Sequence, residues 1–480
     1  MTGDGDGMLS ESSPGVTELS APDAHRPEQG PAHWTARFIR SLVRDLDQAK
    51  VRWVVLRNHQ DLPDQVGDDV DIVVHPEDAA ATEDVIRAAV KRDGLFLLRS
   101  YRGLEHHTFA VATPDLSGRF VLLVDIQWAV AFKGRLLIDA EGVLAGRRRS
   151  GDVWIPTPGM EGYALLLHAI LKKRELKPRY IERLAELERL GPGAVNQVAR
   201  GRVGRALAER ITGVRTRSQL LAVRGSLARS IDRRNPGNMW RRPTFQALSK
   251  LRQIRLRLKP SGLFVVLLGP DGSGKSSTTD LLATLLGTQG DVLPVDRVYL
   301  GSGQPLLPTR KLARRLHGAD KPSDKNRQVR DVAPRRLRGA LHVTADEILR
   351  YWVHVRPHLA RHGLVLADRY AYDLFRINNP TVRRRWFRRV ATIVIPAPNV
   401  TFFLEGDPEV ITARKQELTL EETIRQQHAY RALIDVVPDL RPLDLTERDE
   451  AALRRVAIEI LDAYSTRNHG FPSGRHGDDP

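Results

Sequence analysis

Short apolar runs and amphipathic stretches alternate along the first half of the chain. VRWVVL (51–56) and VDIVVH (70–75) are predicted strands, and FLLRSYR, HTFAVAT and RFVLLVDIQW are three further strand candidates. Apolar residues recur at helical spacing after Trp34, before Gly94 and twice beyond Pro158. The first half is therefore predicted to be a small α+β unit with a helical tail.

The second half begins with LFVVLL (263–268), a fully apolar run typical of a strand buried in a parallel sheet. A Gly-rich turn and the helix SSTTDLLATLLG follow it, and later come the predicted strands VDRVYLG, LVLAD and VTFFLE with helices between them. Strands that alternate with helices indicate an α/β domain with a doubly wound parallel sheet.

The length of 480 residues predicts two or three domains. We expect a disordered segment at 1–33, a first domain at 34–199, a basic linker at 200–260, a second domain at 261–465 and a disordered tail at 466–480. The absence of cysteine excludes disulfides, thiolate zinc sites and a thiol nucleophile. No run is long enough to span a bilayer and the N-terminus lacks the pattern of a signal peptide, so a cytoplasmic protein is expected.

The formal net charge of +17 is concentrated in one stretch of the chain. Residues 200–260 hold 17 basic and 2 acidic side chains, a net +15. This block could attract the phosphates of nucleic acid or of an anionic membrane surface, but a solvated linker is the favoured interpretation because no nucleic-acid motif accompanies it. A second basic stretch, at 305–340, is predicted to be an irregular insertion. The sequence leaves open whether the chain forms a homodimer.

A phosphate-binding loop is predicted where the first strand of the second half ends. The residues from Gly269 to Ser276, GPDGSGKS, fit the pattern G-x-x-x-x-G-K-[ST], with a strand before it and a helix after it. Glycines allow backbone amides to face phosphate oxygens, lysine reaches the β- and γ-phosphates, and serine is a ligand of Mg²⁺. The predicted ATP-binding residues are Gly269, Asp271, Gly272, Ser273, Gly274, Lys275, Ser276 and Ser277.

Other candidate residues follow the strand LVLAD and the strand VTFFLE. Asp368 and Arg369 end the first of these strands, where the aspartate could hold a Mg²⁺-bound water or an acceptor and the arginine could clamp a phosphate. The alternative is an aspartate that caps the next turn. Arg414, Lys415 and Arg425 could neutralise a transferring phosphoryl group, or could form a solvated helix face.

Residues 262–462 resemble the thymidylate kinase-like branch of P-loop kinases. The resemblance rests on DGSGKSS, RPHLARHGLVLADRY, PNVTFFLEGDPEV and the Arg414-Lys415 pair. It implies that Lys275 and Ser276 hold ATP and Mg²⁺, that Asp368 and Arg369 face the metal and the acceptor phosphate, that Arg414 is a lid arginine, and that Asp271 lies near the acceptor. Where that family has a base-contacting arginine, this chain has Glu347, and Arg350 lies nearer to Pro357. The resemblance therefore leaves the identity of the acceptor open.

Three aspartates form a separate candidate site in the first half. Asp69 and Asp71 are two residues apart on one predicted strand and Asp125 is on another, so the three carboxylates could hold Mg²⁺ for nucleotidyl transfer. With VVLRN and VDIQW, residues 51–190 resemble the nucleotidyltransferase fold. The Gly-Ser pair of that fold is replaced by Leu56-Arg57-Asn58, and His168 is interpreted as a packed core residue. A substrate-holding domain without activity is the alternative.

These residues predict an ATP-dependent phosphotransferase that moves the γ-phosphoryl group to a small acceptor: a nucleotide, a nucleoside or a phosphorylated metabolite. Two alternatives belong to other classes. One is a metal-dependent nucleotidyltransferase with a regulatory P-loop domain, and the other is a nucleic-acid-stimulated NTPase that uses residues 200–260 as its binding surface.

Overall fold

The computed structural model describes residues 32–103, 105–116, 118, 120–287, 293–300, 306, 337–372, 394–414, 418–434, 437, 439–444 and 450–469. Most of the predicted insertion at 305–340, most of both predicted disordered ends, and Lys415 lie outside these ranges. The first described helix begins at Ala32 and the last ends at His469, so each includes a few residues that were expected to be disordered. None of the described helices is both long and apolar enough to cross a bilayer.

The first half contains a five-stranded mixed sheet, and each predicted strand is present in it. Its strands are β1 (Trp53–Val55), β2 (Asp69–Val74), β3 (Phe96–Arg102), β4 (His106–Ala112) and β5 (Val121–Gln127), in the order β1-β2-β5-β4-β3. Only β2 and β5 run parallel; the other neighbours are antiparallel. One face packs against α1 (Ala32–Gln48) and α2 (Ala79–Arg92), whose apolar residues recur at helical spacing.

A helical bundle covers part of the opposite face. It is preceded by two short hairpins, β6–β7 (Ala129–Phe132, Arg135–Asp139) and β8–β9 (Arg148–Ser150, Val153–Ile155), and by α3 (Ala140–Leu144). The bundle consists of α4 (Pro158–Leu167), which continues as a π-helical turn (His168–Lys173), then α5 (Pro178–Leu190), α6 (Ala194–Val203), α7 (Arg205–Thr212) and α8 (Arg217–Arg234).

The segment 200–260, predicted to be a solvated basic linker, is mostly helical. Its first part, through α8, packs into the bundle core through Leu220, Val223, Leu227 and Ile231, which share one face of α8. These apolar residues recur every three or four positions, a helical spacing that is less conspicuous in the sequence than the arginines around it. Helix α9 (Asn238–Leu258) follows, and of its side chains only Asn238 is fully buried.

The second half is a parallel α/β sheet, as predicted. Strands β10 (Leu263–Leu268), β11 (Val295–Tyr299), β12 (Leu364–Asp368), β13 (Val400–Glu405) and β14 (Leu440–Asp444) lie in the order β11-β12-β10-β13-β14. The helices are α10 (Lys275–Gly287), α11 (Leu337–Arg350), a π-helical turn (Tyr351–Val355), α12 (Arg356–Leu359), α13 (Pro408–Arg414), α14 (Leu420–Arg431) and α15 (Glu450–His469). Alternate residues of β10 contribute to two different cores, so the sheet is covered on both faces.

The two halves share one hydrophobic core. Phe96 and Leu98 of β3 belong to the same buried cluster as Leu282 of α10 and Ile460 of α15. The side chain of Asn468, near the end of α15, also donates to the carbonyl of Leu98 at 3.5 Å. The mixed sheet is therefore buried on its second face partly by the helical bundle and partly by the second half of the chain.

Candidate active sites

The predicted phosphate loop lies at the carboxyl edge of the parallel sheet. It leaves β10 at Gly269 and enters α10 at Lys275, which is the strand–turn–helix arrangement that the pattern requires. Gly269, Gly272 and Gly274 have φ values of 153°, 91° and 90°, in the region that favours glycine. A Cβ on Gly269 would come within 2.8 Å of the Leu404 carbonyl oxygen, so the loop needs glycine there for space as well as for conformation.

Lys275 and Ser273 lie inside this loop. The Lys275 side chain is buried, and its ammonium group donates to the carbonyls of Gly269 at 2.9 Å and Pro270 at 2.7 Å. The hydroxyl of Ser273 is buried and has no hydrogen-bond partner among the residues that the structure describes. A buried hydroxyl without a partner is uncommon, since it loses its bond to water, and a phosphate oxygen in the loop would satisfy it.

Ser276 and Asp368 meet across the edge of the sheet. Residue 368 ends β12, directly beside Leu267 of β10, and the Ser276 hydroxyl donates to its carboxylate at 2.5 Å. The second carboxylate oxygen of Asp368 is buried and accepts no hydrogen bond within the described ranges of the chain. A hydroxyl and a carboxylate with spare coordination capacity form an oxygen donor set that suits Mg²⁺.

Arg369 connects the end of β12 to the loop. Its backbone has a φ of 70°, unusual for a residue with a side chain, and its amide donates to the Leu267 carbonyl at 3.2 Å. The turn directs its guanidinium to the carboxylate of Asp271, with which it forms an ion pair. The structure thus brings Asp368, Arg369, Asp271 and the phosphate loop together at one edge of the sheet.

The predicted lid residues are farther along the chain. Arg414 is exposed at the last position of α13, and Arg425 is exposed on α14, where it pairs with Glu422. The assignment of Arg414 as a lid arginine stays a prediction.

Arg350 is buried, and its side chain bonds to neighbouring elements of the second half. Its guanidinium donates to the carbonyls of Tyr299 and Leu300 at 2.9 Å each and to the carboxylate of Glu347 at 3.0 Å. It therefore fixes the end of β11 against α11. Only 1% of Arg350 is exposed. Its guanidinium therefore binds the backbone at the end of β11 and does not lie on the surface of a cleft.

The three aspartates of the first half come together as the alternation of β-strands requires. Asp71 and Asp125 are direct partners in the parallel pairing of β2 and β5, and carboxylate oxygens of Asp69, Asp71 and Asp125 all lie within 4.8 Å of one another. Burial raises the pKa of Asp69 and of Asp125, and the charge of Asp71 raises both pKa values further. One oxygen of Asp125 is buried and finds no hydrogen-bond partner in the part of the chain that the structure describes. Together the three carboxylates supply oxygen donors of the kind that a divalent cation prefers.

Arg57 is a cation beside this cluster, and the sequence pointed to it only as part of the replacement of the Gly-Ser pair. It forms an ion pair with Asp71 at 2.6 Å, and its Nη1 donates to Nδ1 of His168 at 2.6 Å. Burial and the Arg57 charge lower the pKa of His168 to about 2, so the imidazole is neutral. The interpretation of His168 as a packed core residue is wrong: the side chain is half-buried and lines a pocket, because the chain leaves α4 there in a π-helical turn.

Gln127, Glu161 and Lys172 are further polar residues that line this pocket, and all three were missed. Gln127 donates to Asp71 at 2.8 Å, and its place two residues after Asp125 on β5 puts both side chains on one face. This spacing was a usable signal. Lys172 reaches the pocket from the π-helical turn, for which the sequence carries no comparable signal.

Neither a protein-family model nor a curated protein matches the chain. Among solved structures, thymidylate kinase from Ehrlichia chaffeensis is similar over 42% of this chain and 98% of its own chain, at 18% sequence identity and a TM-score of 0.29. A similarity of this size assigns no function.

Proposed function

We propose that the chain is an ATP-dependent phosphotransferase of the thymidylate kinase-like type, which moves the γ-phosphoryl group to a small acceptor. The observation that carries the proposal is the contact between Ser276 and Asp368 beside a glycine-dependent loop. In P-loop enzymes the serine after the lysine and a strand-ending aspartate are the residues that position Mg²⁺ on the nucleotide.

Each residue of the site has a distinct role in this proposal. The loop amides and Lys275 bind the β- and γ-phosphates, while Ser276 and Asp368 would hold Mg²⁺, which neutralises phosphate charge. Arg369 lies next to Asp271 on the side of the loop that faces the end of β12, where its guanidinium can bind an acceptor phosphate by two parallel hydrogen bonds. Catalysis then consists mainly of positioning and charge neutralisation.

The test is transfer of label from γ-labelled ATP to a panel of nucleoside monophosphates, nucleosides and phosphosugars. Lys275→Ala should reduce acceptor labelling about a hundredfold or more, because it removes a charge that stabilises the transition state. Lys259→Ala, at an exposed lysine just before β10, is the matched control. ATP hydrolysis that needs no acceptor but is strongly stimulated by nucleic acid would contradict the proposal.

A second candidate function belongs to the first half of the chain. The cluster of Asp69, Asp71 and Asp125 supports binding of Mg²⁺ and hence a metal-dependent nucleotidyl transfer at the mixed sheet. This activity would release pyrophosphate from a nucleoside triphosphate. It should be lost in Asp125→Asn and retained in Lys275→Ala, whereas phosphotransfer should show the reverse pattern.

A further inference from the structure

Helix α9 crosses the surface of both halves of the chain with one face held against the protein. Asn238 bonds to the backbone amide and carbonyl of Leu136 at 2.8 Å and 3.2 Å. Further along, Phe245 packs at the Gly134 turn, and the guanidinium of Arg252 lies 3.1 Å from the centre of the Tyr101 ring. These inner residues are seven positions apart, which places them on one side of the helix.

The carboxyl end of α9 is held by the second half of the chain. Arg356 donates to the Arg257 carbonyl at 2.7 Å and also bonds to the Leu258 carbonyl. The helix is therefore attached near both ends, and its outer face has a fixed orientation. At ~1.5 Å per residue, its 21 residues span about 30 Å of surface.

The outer face of α9 is an apolar stripe formed by Trp240, Ala247, Leu251, Ile254 and Leu258. The spacing of 7, 4, 3 and 4 residues keeps these side chains in one row, opposite the inner residues. Trp240, Leu251, Ile254 and Leu258 are 72%, 60%, 54% and 70% exposed. Large apolar side chains this exposed, and in a row, are typical of a surface that contacts another apolar phase.

The stripe is bordered by cations. Helix α9 carries six basic residues and no acidic residue, and five of the six are exposed: Arg241, Arg242, Lys250, Arg255 and Arg257. Helical spacing places Arg241 and Arg255 along one side of the stripe and Lys250 and Arg257 along the other. Trp352, half-exposed, lies beside the same end of the helix, since Arg356 stacks on its ring at 4.6 Å.

We propose that α9 binds to the surface of an anionic membrane, with its apolar stripe among the acyl chains and its flanking cations on the lipid phosphates. An amphipathic helix of this composition lies in the plane of the interface, where apolar burial and attraction to acidic lipid add. Tryptophan at one end of such a stripe is favoured at the headgroup level. The proposal is independent of the phosphotransferase activity.

Other occupants of the stripe fit the observations less well. A second copy of the chain, paired through the same helix, would bring the five exposed positive charges of one helix near the five of the other, with no carboxylate on either helix to compensate them. A nucleic acid would use the cations but would leave Trp240, Leu251 and Leu258 exposed to water. An anionic bilayer would pair its lipid phosphates with the cations of α9 and would also bury the apolar stripe.

The test is co-sedimentation of the full chain with vesicles of phosphatidylcholine alone or of phosphatidylcholine mixed with phosphatidylglycerol. Binding should occur to the mixed vesicles and be far weaker to the neutral ones. Leu251→Gln should weaken binding about tenfold or more, because burying one leucine side chain contributes more than the free energy that corresponds to a factor of ten. Arg255→Gln should weaken it several-fold and reduce its dependence on salt.

Leu221→Gln is the matched control, since Leu221 is 48% exposed on α8, away from the stripe, and should bind vesicles as the unaltered chain does. Thermal unfolding should be unchanged in every variant, because all the replaced side chains are exposed. Equal binding to neutral vesicles, no loss with Leu251→Gln, or a dimer that this substitution dissociates would each overturn the proposal. Retention on nucleic acid that Leu251→Gln leaves intact, with no vesicle binding, would also overturn it.

Discussion

Replacing Arg350 by methionine tests whether this arginine fixes the edge of the parallel sheet. Methionine keeps the length and the apolar stem of the side chain but removes all its hydrogen-bond donors. The substitution deletes the two bonds to the carbonyls of Tyr299 and Leu300 and the bond to Glu347. It leaves the Glu347 carboxylate, only 4% exposed, without the guanidinium that compensates its charge.

The expected loss in the free energy of unfolding comes from the Glu347 charge that stays buried. Removing one partner of a buried ion pair destabilises a protein by about 3–5 kcal/mol, mostly because the other charge stays in the interior. Glu347→Gln in the same chain should recover part of this loss, since a neutral amide is less costly to bury than a carboxylate. The double variant should therefore be more stable than Arg350→Met alone.

Urea unfolding followed by circular dichroism measures these differences. Arg361→Met, at an exposed arginine just before β12, is the matched control and should change the free energy of unfolding by less than about 0.5 kcal/mol. If Arg350→Met unfolds at the same urea concentration as this control yet loses acceptor labelling, Arg350 contacts the acceptor and does not fix the end of β11.

Three further predictions concern the two sites. Gly269→Ala should abolish ATP binding in calorimetry, because its Cβ would meet the Leu404 carbonyl, whereas Gly287→Ala, with open space around it, should not. Because the pKa of His168 is about 2 in the folded chain and 6.5 in a free imidazole, the unfolded chain takes up the proton first; thermal stability should fall as the pH drops below 6.5, and less steeply in His168→Gln. Arg57→Gln should tighten Mn²⁺ binding about tenfold in calorimetry, because it frees Asp71; unchanged affinity would argue against a cation site there.

The strands and the phosphate loop could be predicted because their signals are local. A run such as LFVVLL needs no distant partner to identify it, and the strand–turn–helix context of the loop follows within twenty residues. The pairing of Asp71 with Asp125 was within reach for the same reason: two residues on one strand share a face, and a parallel neighbour brings the third.

Contacts between distant residues could not be predicted in this way. Arg57 and His168 are 111 positions apart, and their contact depends on how the helical bundle sits on the sheet. The helices of the segment 200–260 were missed for another reason. Its charge is conspicuous in a count of residues, whereas the periodicity of Leu220, Val223, Leu227 and Ile231 appears only when positions are compared.

One hydrophobic core underlies both candidate sites. Val121 of β5 is buried in it, and Asp125 projects from the same face of the same strand four residues later. Leu282 and Leu286 of α10, the helix that begins at Lys275, belong to this core as well. The phosphate loop and the aspartate cluster are thus built on elements that pack against each other, so close packing rather than a flexible linker fixes their relative position.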